Sequence, residues 1–302
     1  MAHEEHPHHR HEHPGHGHHH DHTDVDWAAM GPMLETQAEL FLPLYEHAMA
    51  WLGKRQTEPG LIVDVGSGPG VVSCLLADAF PGARIVAVDG SEPLLERAQA
   101  RAERLGVADR FGTLAGELPD VLGELDYPAD LLWAGRSLHH LGDQRAALAA
   151  FGDRLAAGGT LALQEGGLPT RFLPRDIGFG RPGLQARLDV LETEWFARMR
   201  ADLAGSVAET EDWPALITAA GLRPTGTRTF LLDLPAPTTD RARAYAADVL
   251  TRTRDGVGDR LDAEDRATLD RLLDPDDKAS VHHRPDLFVL AAQTVYTAVR
   301  TR

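Results

Sequence analysis

The chain has 302 residues, of which 46 are acidic and 30 are basic, and its formal net charge is −16. This length suffices for one large core, or for a core with a cap. The acidic balance and the lack of a basic run argue against a nucleic-acid partner. No segment approaches the ~20 apolar residues of a membrane span, and no apolar signal segment is visible. A single cysteine, Cys74, excludes an internal disulfide and fits a reducing cytoplasm. We therefore expect a cytoplasmic protein that acts on a small molecule, with neither nucleic-acid nor membrane partners.

Residues 1–24 differ in composition from the rest of the chain. They contain 11 of the 16 histidines, together with Glu, Asp, Pro and Gly, and almost no apolar residues. Such a segment cannot bury enough apolar surface to fold alone, so we expect a disordered tail. The alternative is a tail that binds divalent metal weakly, because neutral imidazoles are good ligands. The irregular spacing defines no fixed ligand set, and we predict no catalytic metal.

Apolar residues recur at helical intervals between residues 25 and 53, which predicts helices. Gly31-Pro32 and Pro43 should break this run into two or three pieces. The apolar and aromatic stripe is typical of core packing, and part of it could instead line a pocket.

Residues 61–70 read LIVDVGSGPG and are followed by a small, apolar run. This pattern predicts a buried parallel strand, a tight turn and a helix. Dinucleotide-binding folds place a pyrophosphate over a G-x-G-x-x-G turn. Here the spacing is G-x-G-x-G, with Asp64 two residues before the first glycine. That carboxylate would oppose a pyrophosphate but would attract a cationic ligand.

A second strand, residues 84–88, ends in Asp89, and an acid at this place can accept hydrogen bonds from both ribose hydroxyls. Together, the glycine turn and Asp89 resemble motifs I and II of the class I S-adenosylmethionine (SAM) methyltransferases. The resemblance implies an α/β fold: a seven-stranded Rossmann-like sheet, mostly parallel with an antiparallel last strand, carrying a helical N-terminal lid and helical cap insertions. The SAM-binding core would be residues 57–165.

The resemblance also implies which residues bind SAM. Glu117 would accept a hydrogen bond from the adenine amine, and small residues after the fourth strand would lie beside the methionine part. The implied cofactor-binding residues are Asp64, Gly66, Ser67, Gly68, Gly70, Asp89, Gly90, Ser91, Gly116, Glu117, Ala134 and Gly135.

Four residues near the ends of the fourth and fifth strands are candidates for the chemistry. Arg136 would bind a substrate carboxylate or phosphate, or it would pair with an acid at the rim. His139 or His140 would remove a substrate proton, or the pair would pack near the cofactor. Glu165 closes the fifth strand, at the sheet edge where ligands bind in such folds. It is a candidate base or substrate hydrogen-bond acceptor.

The remaining segments are assigned by the same resemblance. Residues 25–56 would form the lid, with Tyr45 facing the substrate, and residues 166–211 would form a cap insertion. Residues 212–302 would complete the sheet, with strands near 227–232 and 286–299 and two helices inserted at 238–274.

The predicted function is SAM-dependent methyl transfer to an O, N, S or C atom of a small metabolite. Two alternatives stay open: a catalytically silent SAM-binding regulatory module, and a metal-handling protein that acts through its histidine-rich tail. The sequence also leaves open whether the protein forms a homodimer.

Overall fold

Seven strands form one sheet in the computed structural model, which describes residues 26–55 and 58–301. The predicted histidine-rich tail lies outside these residues. The strands are β1 (Leu61–Val65), β2 (Arg84–Asp89), β3 (Phe111–Ala115), β4 (Ala129–Gly135), β5 (Leu155–Arg171), β6 (Leu222–Leu234) and β7 (Val289–Arg300). Their order is β3-β2-β1-β4-β5-β7-β6, and β7 runs antiparallel to both of its neighbours. The predicted Rossmann-like methyltransferase sheet is thus confirmed.

Helices cover both faces of the sheet. They are α1 (Trp27–Leu40), α2 (Leu42–Gly53), α3 (Val71–Ala79), α4 (Glu92–Arg104), α5 (Gln144–Asp153), α6 (Leu184–Asp202), α7 (Trp213–Ala219), α8 (Asp240–Val257) and α9 (Ala263–Leu273). None of these helices combines the length and the apolar character that crossing a bilayer requires.

The N-terminal apolar run forms two helices. The break falls at Phe41, two residues before Pro43, whereas Pro32 lies within α1. Pro32 is the sixth residue of that helix, so it lacks the hydrogen bond that an N–H there would donate to the carbonyl four residues earlier, yet the helix continues through it. The sequence predicted breaks at Gly31-Pro32 and at Pro43. The helix continues through Gly31-Pro32, and the break falls only near Pro43.

Alternate residues along each strand point to opposite faces, and each face has its own apolar core. Ile62 and Leu131 face a core that includes residues of α1 to α4, α6, α8 and α9. Val63 and Leu132 face a second core that includes residues of α5 and α7. Because β1, β2, β4 and β5 are mutually parallel, the segments that follow them meet at one edge of the sheet. The predicted site residues are concentrated at this carboxyl edge.

Strand β5 is longer than the sequence indicated. Residues 166–171 were predicted to begin a cap as a loop, but they continue β5 and pair with β7 through Arg171. The pairing shifts register between Gln164 and Gly167 and again between Leu168 and Arg171, so the glycines accommodate a bulged strand. Helix α6 begins beyond this extension.

Candidate active site

The turn after β1 presents backbone to an open space. The N–H groups of Gly66 and Ser67 donate to the carbonyl oxygen of Val88 at 2.8 and 3.0 Å, which fixes the turn against β2. Gly68 has a φ of +54°, in the left-handed region, and no protein atom lies within 4 Å of the position that a Cβ would take. A side chain is therefore disfavoured here by the backbone conformation and not by neighbouring protein. Such a turn leaves room for a ligand to approach the backbone.

The carboxylate of Asp89 is held at the end of β2. It accepts from the Gly68 N–H at 2.8 Å through Oδ2 and from the Ser91 N–H at 2.9 Å through Oδ1. Burial raises the pKa of Asp89, and these two N–H groups oppose that rise. Glu117 lies beside it, with Oε1 3.5 Å from the position of a Cβ on Gly90. Two acidic acceptors therefore stand together next to the glycine turn, as ribose and adenine donors would require.

Asp64 provides a third carboxylate, buried at the base of the turn. Ser73 of α3 donates to its Oδ2 at 2.5 Å. Burial raises the pKa of Asp64 to about 7, although the Ser73 hydrogen bond lowers it. The carboxylate thus changes charge near neutral pH. A cation bound beside it would favour its ionised form.

Three of the five buried side-chain polar atoms that lack a hydrogen-bond partner in the described residues lie at the same edge. Among the described residues, Ser67 Oγ, Ser137 Oγ and Gln164 Oε1 are buried and lack a hydrogen bond. Gln164 Oε1 lies 3.3 Å from the position of a Cβ on Gly135. Since buried polar groups are usually satisfied, these atoms favour a polar ligand over the ends of β1, β4 and β5. Three carboxylates, open backbone and unpaired polar atoms together fit a nucleoside cofactor that carries positive charge.

Arg136 begins the segment between β4 and α5, which we call the β4 loop (residues 136–142). Its φ is +56°, an uncommon conformation for a residue with a side chain and one typical of functional segments. Its N–H donates to the carbonyl oxygen of Gln164 at 2.9 Å. The guanidinium is exposed to solvent and lies close enough to the buried Tyr45 to influence the pKa of its hydroxyl.

The two histidines of the β4 loop have different surroundings. The His139 ring contacts the Glu165 carboxylate, with Nδ1 3.1 Å from Oε2, and packs against Phe196. The His140 ring meets the edge of Trp27, with centroids 5.6 Å apart. Although part of His140 stays exposed, desolvation by its packing, followed by the charges of His139, Arg136 and Arg200, lowers its pKa to about 4. His140 is therefore neutral at physiological pH.

Glu165 is buried, and its carboxylate is occupied by the β4 loop. Besides the His139 ring, Oε1 accepts from the backbone N–H of Leu138 at 3.0 Å and of His139 at 3.4 Å. The prediction that Glu165 closes β5 was wrong, because the strand continues to Arg171; Glu165 is the last residue of its buried stretch. The sequence also contained no sign of these backbone partners. Its predicted role as a base stays a prediction.

Tyr45, the predicted substrate residue, is buried on α2. Burial raises the pKa of its hydroxyl, whereas Arg136 and the neighbouring Gln164 side chain lower it. Gln164 Oε1 accepts no hydrogen bond, and the amide Nε2 of the same side chain donates to Gln293 Oε1. Tyr45 thus lies near Arg136 and near Gln164 of β5.

Arg252 on α8 is a site residue that the sequence analysis missed. Although Arg252 is partly exposed, desolvation lowers the pKa of its guanidinium, and Arg136 lowers it further. Tyr245, Asp248 and Glu192 raise this pKa, so Arg252 lies within electrostatic range of Arg136 and of two carboxylates. Within residues 26–55 and 58–301, neither arginine has a carboxylate oxygen within 4.0 Å. Two cations that approach without such an ion pair provide a place for anionic groups.

The described residues contain no cluster of three or more His, Cys, Asp or Glu side chains arranged to hold a metal ion. The sheet order, the G-x-G-x-G turn and Asp89 at the end of β2 are instead the features of a class I methyltransferase.

Comparisons with known proteins agree with this class. A family model described as a methyltransferase domain matches residues 63–161. The trans-aconitate 2-methyltransferase of Methylobacterium radiotolerans is 32% identical over 217 residues, which cover 66% of this chain and 79% of that protein. The chain therefore belongs to the class I SAM-dependent methyltransferase family, and it is an enzyme of the methyl-transferring type.

Two further proteins show how far the similarity extends. The trans-aconitate 2-methyltransferase of Streptomyces coelicolor is 34% identical over 168 residues, 54% of this chain, and the match spans about half (51%) of that relative. A solved methyltransferase-type chain from Bacillus halodurans C-125 has a TM-score of 0.51 at 13% identity, covering 85% of this chain and 99% of its own. At this identity the structural likeness shows the fold alone.

Proposed function

We propose that this enzyme transfers the methyl group of SAM to a carboxylate oxygen of a small polycarboxylic acid. The observation that carries the proposal is that Arg136, at the carboxyl edge, and Arg252 act electrostatically on each other, while neither has a carboxylate oxygen within 4.0 Å in the described part of the chain. Guanidinium groups bind carboxylates through paired hydrogen bonds. Relatives named trans-aconitate 2-methyltransferase support an acceptor of this charge.

The cofactor would be held by groups at the ends of β1 to β4. Asp89 and Glu117 supply acceptors for the nucleoside, and Asp64 supplies negative charge beneath the glycine turn. When bound, SAM supplies a methyl group already activated by its attachment to a positively charged sulfur. Ala134 and Gly135 at the end of β4 would leave room for that end of the cofactor. These assignments follow the family resemblance and stay proposals.

A carboxylate acceptor also suits the groups that surround it. Carboxylic acids are ionised at neutral pH, so their oxygen attacks without losing a proton and the protein needs no general base. His140 is neutral, and the Glu165 carboxylate already accepts hydrogen bonds from the β4 loop. The residues of the site would instead align the two reactants, which accounts for much of the rate in such displacements.

The test compares acids that differ in the number of carboxylates. Arg136→Met and Arg252→Met should each raise KM for trans-aconitate about tenfold, because a hydrogen bond to a charged group contributes about 1.5–3 kcal/mol. Both should discriminate less between trans-aconitate and a monocarboxylic analogue. Arg223→Met, an exposed arginine on β6, is the matched control and should leave KM unchanged. Equal KM values for all three variants would contradict the proposal.

A further inference from the structure

The β4 loop follows β4 at the carboxyl edge of the sheet and contacts α6 of the predicted cap. Besides Arg136, it carries the two histidines, and its first residue has the positive φ of +56°. A side-chain-bearing residue keeps such a conformation only where its surroundings over-determine it. Contacts from Glu165 and Arg200 hold the loop in this conformation.

The N–H side of the loop is bound by Glu165. Its Oε1 accepts from Leu138 N at 3.0 Å and from His139 N at 3.4 Å, while the His139 ring lies 3.1 Å from Oε2. The carboxylate comes from β5, at the end of its buried part, and is itself buried. It therefore fixes the loop to a rigid element.

The carbonyl side of the loop is bound by Arg200 of α6. Its Nη1 donates to the carbonyl oxygens of His139 at 2.8 Å and Leu141 at 2.6 Å, and its Nη2 donates to that of Gly142 at 3.2 Å. Desolvation lowers the pKa of Arg200, whereas the charges of Glu211 and Glu165 raise it. One side chain thus donates to three loop carbonyls, of which that of Gly142 also accepts from the Val207 N–H at 3.1 Å.

Helix α6 itself is attached mainly through polar contacts. It buries only Leu184 and Leu188, and side chains along it pair with Arg171, Thr253 and Arg260. The position of α6 and the position of the β4 loop are therefore linked through Arg200.

We propose that Glu165 and Arg200 are positioning residues: they hold the β4 loop from opposite sides and so place Arg136 for the acceptor carboxylate. This inference rests on the proposed function, since it concerns the same acceptor site. Neither residue touches the acceptor. Displacement of a substrate-binding group by about 1 Å can reduce turnover about 100-fold, so the loss of either contact should weaken the use of the acceptor.

The experiment is a double-mutant cycle between Arg200 and Arg136, with trans-aconitate as the acceptor. Arg200→Met should raise KM about tenfold in the wild-type background and less than about twofold when Arg136 is already Met, because the effect passes through Arg136. Arg198→Met is the control: this exposed residue of the same helix should leave KM unchanged.

Two readouts separate positioning from general damage. The dissociation constant of S-adenosylhomocysteine, measured by calorimetry, should stay within about twofold of wild type in Arg200→Met and in Glu165→Gln. Amide hydrogen exchange across residues 136–142 should be faster in both variants and unchanged in Arg198→Met.

The outcomes are distinguishable. Additive losses in the cycle, or equal losses in S-adenosylhomocysteine affinity and acceptor KM, overturn the inference while the proposed function stands. Unchanged exchange in Arg200→Met also overturns it. Wild-type protein that methylates no polycarboxylic acid overturns the proposed substrate class, and this inference with it.

Discussion

Replacement of Gly68 by alanine tests whether the glycine turn serves a ligand or only the fold. The new Cβ meets no protein atom within 4 Å, so the cost to the folded protein is the left-handed backbone alone. At a φ of +54°, that cost is about 1–2 kcal/mol. For a domain of this size, the melting temperature should fall by roughly 2–4 °C per kcal/mol. The methyl group would, however, occupy the space through which a ligand approaches the turn.

Gly178→Ala is the matched control. Gly178 has a φ of +81°, also has no protein atom within 4 Å of a Cβ, and lies in the segment between β5 and α6, away from the turn. Both variants should lose similar thermal stability in a melting experiment. Only Gly68→Ala should weaken S-adenosylhomocysteine binding in calorimetry, by about tenfold or more. Unchanged affinity in Gly68→Ala would refute the placement of the cofactor over this turn.

Three other perturbations have defined outcomes. Because the pKa of Asp64 is about 7 and its ionised form attracts a cation, SAM affinity measured by calorimetry should rise from pH 6 to pH 8. Ser73→Ala removes a hydrogen bond that lowers this pKa and should move the midpoint to higher pH, whereas a flat profile would contradict the charge argument. Asp89→Ala should weaken SAM binding by about tenfold or more, since hydrogen bonds to a charged acceptor each contribute about 1.5–3 kcal/mol; unchanged affinity would rule out the ribose assignment. Arg110 donates to the carbonyls of Ala77 and Ala83 at 2.6 and 3.1 Å, so Arg110→Ala should lower the free energy of unfolding by about 2–3 kcal/mol in denaturant titrations and leave KM unaltered. A changed KM would show that this contact reaches the site.

The raised pKa of Asp64 also makes the stability of the fold depend on pH. The pKa of Asp64 is raised from 3.8 to about 7 on folding, so the unfolded chain loses this proton first as pH rises. The contribution of Asp64 to stability is therefore largest below pH 4 and declines until about pH 7. Asp64→Asn should remove this part of the pH dependence in denaturant titrations.

Local patterns predicted the elements that depend on neighbouring residues. The run from Leu61 to Gly70 contains both the buried strand and the turn, and Asp89 directly follows an equally apolar strand. Parallel pairing then brings the two together, with Val65 opposite Val88. These features were predictable because β-branched runs favour strands, whereas closely spaced glycines allow the positive φ angles of a tight turn.

The long β5 was not predictable from the same signals. Gly166-Gly167 is typical of a loop, yet at Gly167 a Cβ would lie 2.1 Å from the carbonyl oxygen of Ala292. The glycine is required by the close approach of β7, more than a hundred residues later in the chain. A single sequence does not show that partner.

Arg252 and Arg200 were missed for a related reason. Each lies on a charged helix that carries other arginines, and the sequence alone makes them ordinary surface residues. Their roles depend on where α8 and α6 pack against the sheet, which brings Arg252 towards Arg136 and Arg200 onto the β4 loop. The acceptor side of the site is thus a property of tertiary structure, whereas the cofactor side is contained in two local motifs.

The most direct test of the proposed function is methyl transfer from isotope-labelled SAM to a panel of mono-, di- and tricarboxylic acids, analysed by mass spectrometry. The two unpaired arginines predict that label enters the polycarboxylic acids as a methyl ester, with an equal amount of S-adenosylhomocysteine formed. Label in none of the acids, from protein that binds S-adenosylhomocysteine, would contradict the assignment of Arg136 and Arg252 as carboxylate-binding residues.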